Sequence, residues 1–314
     1  MMVLEQRIQA GVDAFAQIAS AQDFGIDGIV VDADGQEPVE RHWTPDLRRD
    51  VFSVSKTFTS VAIGIAEAEG LLALDDTVLS HLPEFASTAA PGVEKITVRQ
   101  LLTMTSGIVY RWEDPDGDHP GDAAQDILAA PLGTEPGVQF AYRGSSTYLL
   151  SRIIHACSGS DLRDYLLPRL FAPLGIRHPQ WLRCPRGFSM GAVGLQLRTA
   201  EIARLGRTLL DGGRYDGEQV IPPDYVASMP SDSVAAEGHR PTGATEPVHG
   251  VRYGRHVWLC GRDDAWRMDG IFGQFSVILP RQRSCVTVTA QYGGTTSDIL
   301  DAIWSAIVPT LESR

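Results

Sequence analysis

The chain has 314 residues, enough for about two domains or one domain with a large insertion, and its 43% hydrophobic and 21% charged residues are ordinary for a soluble globular protein. A formal net charge of −12 argues against nucleic acid or an anionic membrane surface as partner. The N-terminal stretch carries Glu5 and no long apolar core, so neither a secretory signal nor a membrane span is read there, and a cytoplasmic location is the expectation.

In chain order, Ile8, Val12, Phe15 and Ile18 recur at helical spacing and predict a helix from about residue 4 to 21. Gly25 to Val31 reads as a strand, Asp32-Ala33-Asp34-Gly35 as a turn, and Val39 to Trp43 as the returning strand. A long apolar helix follows, from Ser53 to about Glu69. Leu71 to Leu82 predicts a helix with its cap at Asp75-Asp76, and Ile96 to Met104 another, capped by Thr97. Arg111 to Gly121 is acidic and rich in Pro and Gly, a loop. Tyr148 to Ser158, Leu162 to Leu167 and Ala200 to Asp211 predict further helices. Ser231 to Gly250 is polar and aperiodic, the kind of long loop that is disordered or functional, a lid being one use. Val257 to Cys260, Gln274 to Leu279 and Cys285 to Ala290 read as strands, and a last helix runs from about Ser297 to Leu311.

Strands and helices at both ends with helices between predict an α/β (α+β) fold. Its antiparallel sheet comes from the N- and C-terminal segments, residues 1–69 and 251–314, flanked by helices. Residues 70–250 form an inserted, mainly helical domain. The four cysteines are widely spaced with no C-x-x-C pair, so packed reduced thiols are expected rather than a zinc site. The eight histidines form no H-E-x-x-H and no i, i+4 pair, so neither a metal nor any other cofactor is expected.

The stretch Phe52-Ser53-Val54-Ser55-Lys56 reads S-x-x-K at the mouth of the apolar helix. Positions i and i+3 share a helix face, so the Ser53 hydroxyl and Lys56 amine can lie side by side. A serine hydroxyl needs a neighbouring base to become a nucleophile, and a buried lysine gives up its proton more readily. Of 27 Lys plus Arg only Lys56 and Lys95 are lysine. A chain that writes nearly all its cations as arginine, which cannot act as a base, keeps a lysine in an apolar helix. The plain alternative is a surface lysine one turn into a helix. The N–H groups at the helix start favour a developing oxyanion.

Tyr142, in the loop before the next apolar helix, is the best candidate for passing a proton to the leaving group. Neighbouring cations would lower its pKa; the alternative is a loop tyrosine that anchors the helix. Arg143 is a candidate for a substrate carboxylate or an exposed structural arginine. In Met268-Asp269-Gly270-Ile271-Phe272-Gly273-Gln274 the glycines allow close backbone approach, and a backbone N–H after Gly270 is a candidate second oxyanion donor, beside that of Ser53. The same stretch also reads as a turn between strands.

These residues, with Leu101 to Gly107 and Ser145-Ser146, resemble in order and kind the serine β-lactamase and penicillin-binding superfamily. The similarity is to its class C-related branch, with family VIII esterases and 6-aminohexanoate-oligomer hydrolases, and covers about residues 23 to 311. It implies a β-lactamase/transpeptidase-like fold with the site between sheet and helices. It implies Ser53 as acylated nucleophile, Lys56 as base, Tyr142 as acid/base of the Y-x-N position, and the N–H groups of Ser53 and Ile271 as oxyanion hole. Three positions depart: Gly144 replaces the asparagine of Y-x-N, Met268-Asp269-Gly270 replaces K-T-G or H-x-G, and Met104 stands where histidine is common. The cation for a β-lactam carboxylate is thus missing and Asp269 would repel one. Asp269 would instead attract a substrate ammonium, with Gly270 beside it in the binding wall. The reading is a cofactor-free serine hydrolase acting through an acyl-enzyme on small ester or amide substrates. The alternatives are a β-lactamase or D-alanyl-D-alanine peptidase, an acyltransferase, and a non-catalytic binding or sensor domain.

Overall fold

The computed structural model describes residues 3–110, 121–237, 251–262 and 264–312. Helix α1 (Leu4–Ala21) buries Ile8, Val12, Phe15 and Ala19, one apolar stripe at helical spacing. Strands β1 (Ile26–Ala33) and β2 (Val39–His42) form the expected hairpin. Helices α2 (Ser55–Ala68), α3 (Val98–Leu102), α4 (Gly144–Ser158) and α5 (Thr199–Leu210) follow. The remaining strands of the main sheet are β3 (Val234–Ala235), β4 (Arg252–Tyr253), β5 (Trp258–Leu259), β6 (Trp266–Gly270), β7 (Gln274–Leu279) and β8 (Ser284–Ala290). Helix α6 (Ser297–Ala302) leads into the π-helical turn Ile303–Ile307 and the final helical turn Val308–Leu311.

Among the described residues, eight strands form one antiparallel sheet in the order β2-β1-β8-β7-β6-β5-β4-β3. The N-terminal hairpin therefore pairs directly with the C-terminal strand, with Ile29 opposite Val288 and Val31 opposite Val286. Strands β7 and β8 are buried along their whole length because both sheet faces are covered. On one face Ile8, Val12 and Phe15 of α1 join Ile299 and Ile303 over Ile29, Val286 and Val288. Each such fully buried side chain stabilises the fold by about 1.5–3 kcal/mol. On the other face α5 packs Ile202, Leu205 and Leu209 into the larger core. Gly206 permits the close approach of α5 to the sheet, since a Cβ there would lie 2.4 Å from the Ser276 hydroxyl.

Several elements differ from the sequence reading. The helix expected over Leu71 to Leu82 is a single turn, Val78–His81, preceded by Thr77. Asp76 does not cap it; its carboxylate accepts from the Ala73 N–H at 2.7 Å and pairs with His81 at 3.0 Å. Thr97 does cap α3, with Gln100 closing a reciprocal capping box. Helices Ala123–Ala129 and Pro223–Ser231 were not read, being short and weakly periodic. In the stretch before Gln274, for which a turn between strands was one of two readings, Met268 to Gly270 close strand β6 and Ile271 to Gly273 form the turn to β7. The polar loop from Ser231 contains β3, which pairs with β4; its residues 238–250, like residues 111–120 of the acidic loop, lie outside the described residues. Among the described residues no helix is long and apolar enough to cross a membrane.

Candidate active site

Ser53 lies in the 3-10 turn Phe52–Val54 that opens α2. A short strand, Arg49–Asp50, pairs with Leu195–Leu197 and delivers the chain to this turn. The Asp50 carboxylate accepts from the N–H groups of Phe52 at 2.7 Å and Gly194 at 3.1 Å, tying the turn to the opposite loop. Phe52 is held at φ +47° and its ring packs edge-on against Phe272, 5.1 Å away, itself at φ +65°. Left-handed backbone at a phenylalanine costs about 1–2 kcal/mol and persists because surrounding contacts enforce it. Gly270 brings β6 against this turn: a Cβ there would lie 2.6 Å from the Val51 carbonyl oxygen. Ser53, Gly270 and Ile271 consequently share one cavity wall.

Helix α2 is buried from Ser55 to Ala66, so Lys56 projects from an almost wholly enclosed helix and is itself 3% exposed. Its Nζ lies 2.8 Å from Ser53 Oγ and donates to the Ala192 carbonyl at 3.0 Å. Burial lowers the Lys56 pKa to about 7, against the opposing pull of Asp269 and Asp50. A neutral amine donates to Ala192 and keeps a lone pair for the Ser53 proton. The S-x-x-K spacing thus places the two groups as expected.

Tyr142 completes the group. Its hydroxyl is hydrogen-bonded to Ser53, and its ring centroid lies 4.9 Å from Lys56 Nζ. The expectation of a lowered phenol pKa is overturned. Burial is the largest influence and pushes it up, Asp269 adds to the rise, and the Ser53 hydrogen bond offsets only part. Tyr142 is therefore a neutral donor at ordinary pH. Met104, at φ +59°, holds its loop: the Met104 carbonyl accepts from Ala141 N–H at 2.8 Å, and its sulfur accepts from Arg143 N–H at 3.5 Å.

His256 and Tyr253 are participants the sequence did not reveal. The Tyr142 ring stands edge-on to Tyr253 at 5.7 Å, and the Tyr253 hydroxyl meets His256 Nδ1 at 3.4 Å. His256 Nε2 meets Thr147 Oγ1 at 3.0 Å, and its carbonyl accepts from Thr57 Oγ1 at 2.8 Å. Burial, with the nearby Lys56, lowers the His256 pKa to about 3, so it is a neutral link between α2, α4 and the sheet. No motif spacing marks this histidine; only its contacts with distant segments do.

The cavity of about 380 Å³ is lined by Ser53, Tyr142, Trp258, Ile271, Leu300 and Trp304, among others, and also by Arg267 and Asp269. Strand alternation explains the last two: Trp266 and Met268 are buried in the core, while Arg267 and Asp269 face the cavity. Arg267 Nε donates to Asp269 Oδ2 at 2.8 Å. Burial raises the Asp269 carboxyl, and Arg267 and Lys56 act in the opposite direction. The expected free anion for a substrate ammonium is therefore already paired within its own strand. Arg143 is outside the cavity wall and precedes α4 at its N-terminus. Among the described residues, no cluster of His, Cys, Asp or Glu is placed to hold a metal ion.

Comparison with known proteins gives the family and the fold. A family model described as Beta-lactamase matches residues 8–308. Protein flp from Staphylococcus aureus (strain MW2) is 29% identical over 160 residues, 49% of this chain and 32% of that protein. The chain thus spans only about a third of the length of that curated relative. Among solved structures, a protein provisionally named a 6-aminohexanoate-dimer hydrolase from Bacillus anthracis superposes with a TM-score of 0.77 at 21% identity, over 93% of this chain and 80% of that one. EstCE1, described as a hydrolase with promiscuous acyltransferase activity, gives 0.72 at 19% identity, over 95% and 99% of the two chains. At these identities the structural neighbours establish the shared fold.

Proposed function

The chain belongs to the beta-lactamase family, and from that premise we propose that it is a serine hydrolase that works through an acyl-enzyme on small esters or amides. The observation that carries this reading is the enclosed Lys56 amine, its pKa lowered to about 7, at 2.8 Å from the Ser53 hydroxyl. About half of such an amine is free base at neutral pH, the condition under which a general base is most effective.

In the proposed reaction Ser53 Oγ attacks the substrate carbonyl carbon while its proton passes to Lys56 Nζ. The backbone N–H groups of Ser53 and Ile271 hold the oxyanion. Tyr142, a neutral phenol, donates its proton to the departing alcohol or amine as the carbonyl–leaving group bond breaks. Lys56 returns the first proton to Tyr142, and the acyl group remains on Ser53. Water then attacks the ester, and the same groups release the acid and restore the serine. The Arg267–Asp269 pair offers no lone cation for a β-lactam carboxylate, which favours neutral esters and amides. Two of the structural neighbours are themselves named as hydrolases, which supports the hydrolase part of the reading.

Turnover of p-nitrophenyl acetate beside nitrocefin tests the reading. The expected result is ester hydrolysis by the wild type, lost in Ser53→Ala and Lys56→Ala, with nitrocefin intact. A fluorophosphonate adduct on Ser53 should accompany it. An unlabelled Ser53 together with no ester turnover would overturn the proposal.

A further inference from the structure

Part of the wall of the cavity that Ser53 lines is built from the C-terminal helical segment. Ser297, Leu300, Asp301 and Trp304 line it at spacings of i, i+3, i+4 and i+7, one helix face. Their neighbours Ile299 and Ile303 are 0% exposed and point into the core between α1 and the sheet. Leu300 and Trp304, by contrast, are only half-buried, at the edge of that core. The helix here widens into the π-helical turn Ile303–Ile307, an uncommon geometry that shifts the phase of its side chains and is frequent at functional sites. The Arg262 guanidinium, which also lines the cavity, lies 4.8 Å from the Trp304 ring centroid and braces the indole by a cation–π contact.

This apolar surface is continuous with the nucleophile, because Ser53 lines the same cavity. Of the charged groups in the lining, Arg267 is paired with Asp269, while Arg262, over the Trp304 indole, and Asp301 border the apolar surface. Water held against Leu300 and Trp304 finds few polar partners and is readily displaced by an alkyl or aryl group.

We propose that Leu300 and Trp304 form a subsite for a neutral apolar arm of the substrate. The preferred ester or amide then carries a medium-length alkyl or an aryl group extending from the carbonyl attacked by Ser53. This rests on the hydrolase reading above and names its substrate class. A fully buried methylene is worth roughly fourfold in binding, so even partial burial of an octanoyl chain separates it clearly from acetyl.

The test is kcat/KM across p-nitrophenyl esters from acetate to octanoate, with a parallel series of alkyl acetates from methyl to octyl. The wild type, Trp304→Ala and Leu300→Gln are compared, each checked for a cooperative thermal transition. In one of the two series the wild type should prefer the long arm by about tenfold or more. Both variants should reduce that long-to-short ratio by at least about fivefold. A wild type that hydrolyses short esters but shows no such preference in either series overturns the subsite alone. So does a preference that survives in Leu300→Gln, the milder of the two substitutions. Absence of turnover of every ester overturns the hydrolase reading, and the subsite with it.

Discussion

Arg267 and Asp269, two residues apart on strand β6, face the same cavity as Ser53 with Nε 2.8 Å from Oδ2. The pair cancels its own charge within the cavity wall. Asp269→Asn leaves the guanidinium uncompensated and turned toward bound substrate. The ratio of kcat/KM for a succinate monoester over that for the matching acetate should rise about three- to tenfold. Loss of one partner of this largely enclosed pair should also lower stability by roughly 2 kcal/mol in urea unfolding. An unchanged ratio would mean that Arg267 does not reach the substrate.

The lowered Lys56 pKa sets the pH dependence. If the free amine is the base, kcat/KM for p-nitrophenyl acetate rises about tenfold per pH unit below about 7 and levels above it. Because the Tyr142 phenol is pushed up, no falling limb is expected through moderately alkaline pH. Lys56→Ala should cost about 10²–10⁴-fold. A flat wild-type profile between pH 5 and 8, in this assay, would remove Lys56 from the base role.

The same group affects stability. An unfolded lysine titrates near 10.5, and this one titrates near 7 when folded. Between those values the unfolded chain holds the additional proton, so this residue's contribution to stability rises with pH from about 7 to 10.5. Lys56→Met should flatten that slope in unfolding measured across the range, and an equal slope in both proteins would contradict the assignment.

His256 gives the opposite window. Its pKa falls from an ordinary 6.5 to about 3, so the unfolded chain takes up a proton first as the medium is acidified. Its contribution should be fully present above pH 6.5 and decline as the pH falls toward 3. The buried groups around it, Lys56, Thr147 and Tyr253, offer no carboxylate to stabilise an imidazolium. His256→Gln should show a shallower acid-side loss in calorimetric unfolding, and a parallel curve would count against it.

Phe52 offers a test of backbone strain beside the nucleophile. Phe52→Ala removes the ring contact with Phe272 and keeps a side chain at φ +47°, whereas Phe52→Gly removes the contact and relieves the conformation. Glycine should therefore be the less destabilising of the two by about 1 kcal/mol in urea unfolding. The reverse order would show that the unfolded-state entropy of glycine outweighs the strain.

The amino-acid sequence alone determined what local chemistry determines. The i, i+3 spacing of Ser53 and Lys56 survives in any helical turn, and Nζ lies 2.8 Å from Oγ. The apolar periodicity of α1, the hairpin of β1 and β2, and the apolar runs of β7 and β8 were legible because burial of one face or both leaves a repeat in the chain. The Thr97 cap was legible for the same local reason. Composition contributed too, since a lysine in an arginine-rich chain marks a place where a removable proton matters.

Only the tertiary structure decided the rest. The direction of the Tyr142 pKa shift depends on what encloses the phenol, and Tyr253 and Trp258, two of its aromatic neighbours, come from more than a hundred residues away. Asp269 reads as a free anion in sequence and as half of an ion pair once strand alternation turns Arg267 to the same side. His256 has no motif, and its meaning lies in simultaneous contact with Thr57, Thr147 and Tyr253. Pairing, desolvation and cavity shape are set by which distant segments meet, and a one-dimensional pattern does not carry that information.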